Sequence, residues 1–178
     1  LHPEISSEPI VGNISEILDG NYQTVVSIEQ IKSLTIDFET AESAIVRSLI
    51  IKTSEKRTKA MGEFFVKEGN GYRSLSKFEL NRSNPSINVG FDPYAPIVLA
   101  IPETLSKGFR LVVSEITMAG GIADVVLSPD PKLERYPEKS LAKMFQTPLP
   151  YWKDYLWPVQ PAVADNSLFI DPKTVVDI

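Results

Sequence analysis

Leu34, Ile36 and Phe38 alternate with Thr35 and Asp37. A period of two predicts a half-buried strand. Residues 45–52 are richer in apolar and β-branched side chains and read as a more central strand. Further strands are expected over 62–66, 73–80, 96–101, 109–117 and 122–127. Breaks rich in Gly, Asn and Pro separate them: Glu68-Gly69-Asn70-Gly71, residues 81–85, and Gly90-Phe91-Asp92-Pro93. Gly120-Gly121 reads as a turn between the last two strands. Asn13, with Glu16 three residues on, predicts a capped turn of helix that stops at Gly20. Phe64 and Phe65 must point to opposite faces of one strand, so one is core and the other covers an edge or interface. Short strands in this succession predict an all-β sandwich or jelly roll.

Two places on this pattern carry chemistry. In Ile17-Leu18-Asp19-Gly20-Asn21-Tyr22-Gln23-Thr24, the side chains of Asp19, Asn21 and Thr24 offer oxygens within six residues, and Gly20 permits a sharp bend. A hard cation such as calcium takes six to eight oxygens in flexible geometry. The same spacing also makes an ordinary Asx turn with no ion. Downstream, the alternation of Phe109, Leu111 and Val113 places Glu115 on their apolar face. An inward carboxylate needs a cation or several donors. Either a bulge turns Glu115 outward, as the parity of Ile116 suggests, or a positive group meets it.

With these residues in view, the chain resembles a known family. "ILDGNYQT", "SLTIDFETAESAIVRSLIIKT" and "FRLVVSEIT" are similar to the discoidin-like, galactose-binding-like β-sandwich, the fold of coagulation-factor type C domains and many bacterial carbohydrate-binding modules. The resemblance runs from about Ile10 to Ser128. It implies a structural calcium enclosed by an Asp-Gly-Asp/Asn-x-x-Thr loop and a late Glu, here Asp19, Asn21, Thr24 and Glu115. One position departs from the pattern: Val26 stands where the family often has Trp, so the core there must be packed differently.

Composition narrows the function classes. A chain of 178 residues is the size of one domain, and 43% hydrophobic content is enough for a core. A net charge of −5 argues against nucleic acid, which needs a basic surface. There is no cysteine, hence no disulfide, zinc-thiolate site or thiol nucleophile. The single histidine, His2, lies near the terminus and reads as a surface residue, so neither a Ser-His-Asp triad nor a histidine metal site is expected. No apolar run approaches the length of a membrane span, no signal peptide is visible, and the absent initiator Met points to a mature or excised segment.

Organisation changes after Ser128. Residues 129–178 hold eight of the fourteen prolines and both tryptophans. Proline lacks the donor that a sheet ladder needs. Pro137 suits the first turn of a helix with Leu141, Met144 and Phe145 on one face. The expected division is therefore a sandwich over 1–128 and an irregular, proline- and aromatic-rich extension over 129–178, packed on the sandwich or on a further domain. The stretch from about Ala123 to the end resembles the region that follows a discoidin-like insert in bacterial α-L-rhamnosidase-type glycoside hydrolases. This implies a piece of a larger polysaccharide-degrading enzyme, periplasmic or extracellular, whose catalytic domain is a separate barrel and the chain's partner. Such a barrel needs about 250 residues and does not fit here.

No catalytic residue is assigned within this chain. Glu134 and Glu138 are spaced for one helical face, but beside Arg135 and Lys139 they read as a solvated charged surface. For sugar binding the candidates are Tyr22, Tyr72, Arg73 and Tyr94, in or beside loops, with Asn70, Asn81 and Arg82 as further hydrogen-bonding groups. Exposed tyrosines also simply cover the end of a sandwich. The expectation is a galactose-binding-domain-like β-sandwich acting as a non-catalytic accessory domain of a glycoside hydrolase. It gives structural support with possible carbohydrate contact. An autonomous carbohydrate-binding module and a protein-interaction or adhesion module are the alternatives, separable by a glycan-binding screen.

Overall fold

The computed structural model describes residues 3–84 and 92–139. Their strands are β1 (Glu4–Glu8), β2 (Leu34–Thr53), β3 (Thr58–Glu68), β4 (Gly71–Arg82), β5 (Ile97–Ala119) and β6 (Ile122–Ser128). All pairings are antiparallel, in the order β1-β2-β5-β3-β4, with β6 on β2. The expected strands are present, but four of them are joined into two. Residues 34–38 and 45–52 are one strand of 20 residues, β2, and residues 96–101 and 109–117 fall in one strand of 23, β5.

Bulges reconcile these lengths with a small sandwich. The β2–β5 register shifts between Glu39 and Ala44 and again between Val46 and Ser48. Such irregularities bend a strand and increase its twist. The first half of β2 pairs with β1 and with residues 108–113 of β5, and its second half with β6 and with residues 97–100. Both halves enclose one core. Leu34, Ile36, Phe38, Leu49 and Ile51 of β2 meet Ile97, Leu99, Phe109, Leu111 and Val113 of β5 there, with Phe64, Leu80, Val125 and Leu127. Phe64 and Phe109 stack at 5.7 Å between centroids and 4° between planes, adding about 0.5–1.5 kcal/mol beyond area burial. Phe65 is the outward partner, half-buried opposite Arg110.

Three local expectations are corrected. The turn after Asn13 is a 3-10 helix, Ile14–Leu18, and Asn13 does not cap its backbone: its amide donates to the Glu16 carboxylate at 2.8 Å. A 3-10 turn has different geometry from the α-helix that a capping box serves. The helix at Pro137 is a single turn, α1 (Tyr136–Lys139); Leu141, Met144, Phe145 and the aromatic stretch with both tryptophans lie outside the described residues. Glu138 is not part of a solvated face. It is buried against Arg82, and the Glu134 carboxylate accepts the Ala100 N–H.

Candidate functional site

The Asp19 turn forms as its composition predicts. Gly20 adopts φ +70, and Asp19 Oδ1 accepts the Asn21 N–H at 2.7 Å. Thr24 Oγ1 donates to Asp19 Oδ2 at 2.9 Å and lies 2.7 Å from the Asn21 carbonyl. Asn21 Oδ1 accepts the Gln23 N–H at 3.1 Å. Asp19, Asn21 and Thr24 are thus brought together. Glu115 follows the first of its two alternatives. It sits at φ +49 beside a β3–β5 register shift, and its side chain is exposed. No hydrogen bond or ion pair joins it to the turn among the described residues.

The group that does meet the turn is Asp124 of β6. Asp124 is only 5% exposed, and its carboxylate is bonded by the N–H groups of Gly20 and Val125. Burial pushes its carboxyl above the usual carboxylate range, and the neighbouring Asp19 charge pushes the same way against those two donors. None of these groups is cationic. Sequence reasoning missed Asp124, although one signal was available: it is the only charged residue in the apolar run from Ile122 to Leu127. The donor set fits calcium better than a softer metal, since every atom is oxygen: two carboxylates, an amide, a hydroxyl and carbonyls. No cluster of three or more His, Cys, Asp or Glu side chains suited to a metal occurs among the described residues.

The four sugar-binding candidates fall into two groups. Tyr22 and Tyr94 converge on Lys52 of β2. The Lys52 ammonium lies 5.7 Å from the centroid of the Tyr22 ring and donates to the Tyr94 carbonyl at 2.5 Å. Tyr22 is 56% exposed, and Lys52 is the cross-strand neighbour of Asp124. This group therefore adjoins the Asp19 turn.

Tyr72 belongs to the outer face of the other half of the sheet. Its ring carries the Arg110 guanidinium at 3.9 Å, and its hydroxyl donates to Asp37 at 3.2 Å. Arg110 grips Asp37 with two parallel bonds of 2.6 and 2.8 Å. Arg110 holds the Asp37 carboxyl below its ordinary value, more than offsetting burial, while burial and the Asp37 charge raise the Tyr72 phenol. Arg73 pairs with Glu68 at the β3–β4 turn, where both side chains are 55% exposed. Arg82 is corrected as a sugar donor: it is 3% exposed and bonded to the carbonyls of Asn81, Ala95 and Pro96.

No family model matches the chain, and no curated protein matches it. Solved structures do share its fold. The CBM32 of AlyQ, in complex with 4,5-unsaturated mannuronic acid, superposes with a TM-score of 0.54 at 13% identity over 68% of this chain and 91% of that one. AlyQ also carries an alginate lyase domain. A pectin-binding carbohydrate-binding module gives 0.53 at 13% identity, covering 72% and 91%. A Clostridium perfringens CBM32 in complex with GalNAc-β-1,3-galactose gives 0.54 at 17% identity, covering 70% and 93%. The chain therefore has the galactose-binding-like β-sandwich fold of carbohydrate-binding modules.

Proposed function

We propose that this chain is a carbohydrate-binding module of a carbohydrate-degrading enzyme, holding sugar at the Tyr22–Tyr94 surface. The observation that carries this reading is the Tyr22 ring. It is largely exposed, and Lys52, anchored on the Tyr94 carbonyl, lies against it. A ring held in place presents an apolar platform for a pyranose face at low entropic cost. The fold shared with sugar-binding modules supports the reading. Calorimetry with polygalacturonan, alginate oligosaccharides and GalNAc-β-1,3-galactose tests it. Tyr22→Ala is expected to weaken binding about tenfold, from the loss of about 1.5 kcal/mol of aromatic contact. Unchanged affinity would reject this surface.

Within the same reading, Asp19, Asn21 and Thr24 hold a structural calcium, with Asp124 in the role assigned to Glu115 by sequence. The parent is an α-L-rhamnosidase-type glycoside hydrolase, periplasmic or extracellular, a reading supported by the resemblance of the tail. A catalytic barrel flanking this segment in the full-length gene product would bear it out. The chain itself is expected to hydrolyse no rhamnoside or other aryl glycoside, since 178 residues cannot hold the catalytic barrel; of the two acids weighed as a pair, Glu138 is bonded to Arg82 and Glu134 to a backbone donor.

A second reading, structural support of the parent enzyme, is favoured by one observation. Residues 129–138 are bonded into the sandwich through buried groups rather than hanging from it. A chain that keeps its fold but binds no glycan would select this reading.

A further inference from the structure

After β6 the chain runs as a strap over the sandwich. The Pro129 carbonyl accepts from Arg47 Nη1 at 2.9 Å. Ser48 Oγ donates to the Asp130 carbonyl at 2.7 Å and accepts the Lys132 N–H at 2.8 Å. The Glu134 carboxylate takes the Ala100 N–H, and the Arg135 N–H donates to the Val98 carbonyl at 2.8 Å. Val98 and Ala100 pair with β2 on one side only, so the strap satisfies the other edge of β5.

The strap delivers Glu138 to Arg82. Glu138 Oε1 lies 2.8 Å from Arg82 Nη2, with side chains 10% and 2% exposed. Arg82 also donates to backbone: Nε to the Ala95 carbonyl at 2.7 Å, Nη2 to Pro96 at 3.1 Å and Nη1 to Asn81 at 2.8 Å. The preceding carbonyl, that of Tyr94, belongs to Lys52. Three successive carbonyls, 94 to 96, are thus clamped by two cations from β2 and β4. The deeper cation is balanced by a residue of the strap.

A buried ion pair is a poor source of net stability, because desolvation offsets its attraction. Here Glu138 Oε2 is also buried without a hydrogen-bond partner among the described residues, a further penalty. What the planar, five-donor guanidinium does supply is orientation. We propose that residues 129–138 set the geometry of the Tyr22–Tyr94 surface, with Glu138 as a positioning residue that acts through Arg82 on the Ala95 and Pro96 carbonyls. That this surface binds sugar rests on the reading above; the coupling itself does not. Without Glu138 the buried guanidinium loses the carboxylate bonded to its Nη2 and is drawn toward water. The carbonyls it holds are then released, and the anchor that Tyr94 offers Lys52 shifts.

The full chain should be compared with Glu138→Ala and with the double variant Arg82→Met/Glu138→Leu by hydrogen exchange. The reporters are the Tyr94 and Ala95 amides, both bonded to Asp92. Apolar replacement of both partners spares the fold. In that variant the two amides are expected to exchange at least about tenfold faster, as local opening becomes easier, while β2 and β6 keep wild-type rates. Affinity for GalNAc-β-1,3-galactose or polygalacturonan should fall with them. Wild-type exchange at both amides in the folded double variant would overturn the proposal. Wild-type chain that binds neither glycan would reject the ligand reading, and the exchange rates would still decide the coupling.

Discussion

Asp37 and Asp124 both project from β-strands on the side away from the apolar core, yet the chain treats them differently. Asp37 receives a bidentate arginine and a phenol, so its carboxylate is completed within the sheet. Asp124 is the more deeply buried and receives two backbone N–H groups and a second carboxylate. The first arrangement favours the charged form and the second disfavours it, as their opposite shifts record. A self-completed carboxylate has no need of a ligand. A buried one facing another acid, with no cation bonded to it among the described residues, is where an external cation gains most. A calcium is therefore proposed beside Asp124, at the turn that carries Tyr22.

The largest effect expected from this contrast is the response to calcium. At calcium a hundred times above Kd, stability should rise by about 2.7 kcal/mol, or roughly 5–10 °C in Tm. Melts with calcium and with chelator measure it. Asp124→Asn should erase the response and Asp37→Asn should leave it intact. Coincident melts of the unaltered chain would remove calcium from the account, and equal losses in both variants would dissolve the contrast.

Next in size is the Asp37 pair. Asp37→Ala leaves Arg110 partly buried over Tyr72 without its partner and should cost about 1 kcal/mol, read from denaturant midpoints. Asp124→Asn has the opposite sign in chelator. It keeps an acceptor for Gly20 and Val125 and removes the disfavoured charge, so the midpoint should rise slightly. A fall would show that the charge is already compensated.

The smallest effect is in pH dependence, and its sign differs between the two sites. Because the folded state lowers the Asp37 pKa, Asp37 contributes stability above its ordinary value of 3.8 and loses it as pH falls through the lower folded value. Because the folded state raises the Asp124 pKa, its contribution is fully present below 3.8 and is lost as pH rises through the folded value. In chelator, Asp37→Asn should therefore weaken the acid-side loss of stability, and Asp124→Asn should remove a decline that begins above about pH 4. Calcium should suppress the Asp124 decline. Parallel pH profiles for the two variants would contradict the assigned signs.

Much of the fold was legible because its causes are local. The period-two pattern at Leu34, Ile36 and Phe38 marked a core face, and those residues are buried. Asp19, Asn21 and Thr24 build their turn from hydrogen bonds spanning five residues or fewer. The stacked rings of Phe64 and Phe109 and the outward turn of Phe65 follow from alternation once the strands pair.

The remainder was set at a distance. Periodicity could not show that two pairs of strands are continuous, because a bulge leaves the alternation intact on either side and only the partner strand reveals the shift. It could not choose between the two fates of Glu115, since the bulge that exposes it is a mismatch with β3. Nor could it tell a solvated Glu138 from a buried one: Arg82 lies 56 residues away and Arg110 lies 73 from Asp37, separations that sheet register alone brings together. Strand positions, the core face and the oxygen-rich turn were thus written in the chain by near-neighbour sterics and hydrophobicity. Which carboxylate meets a cation, which meets another acid and which tyrosines meet Lys52 were decided only by the fold, because electrostatic environment depends on distance in space and not along the sequence.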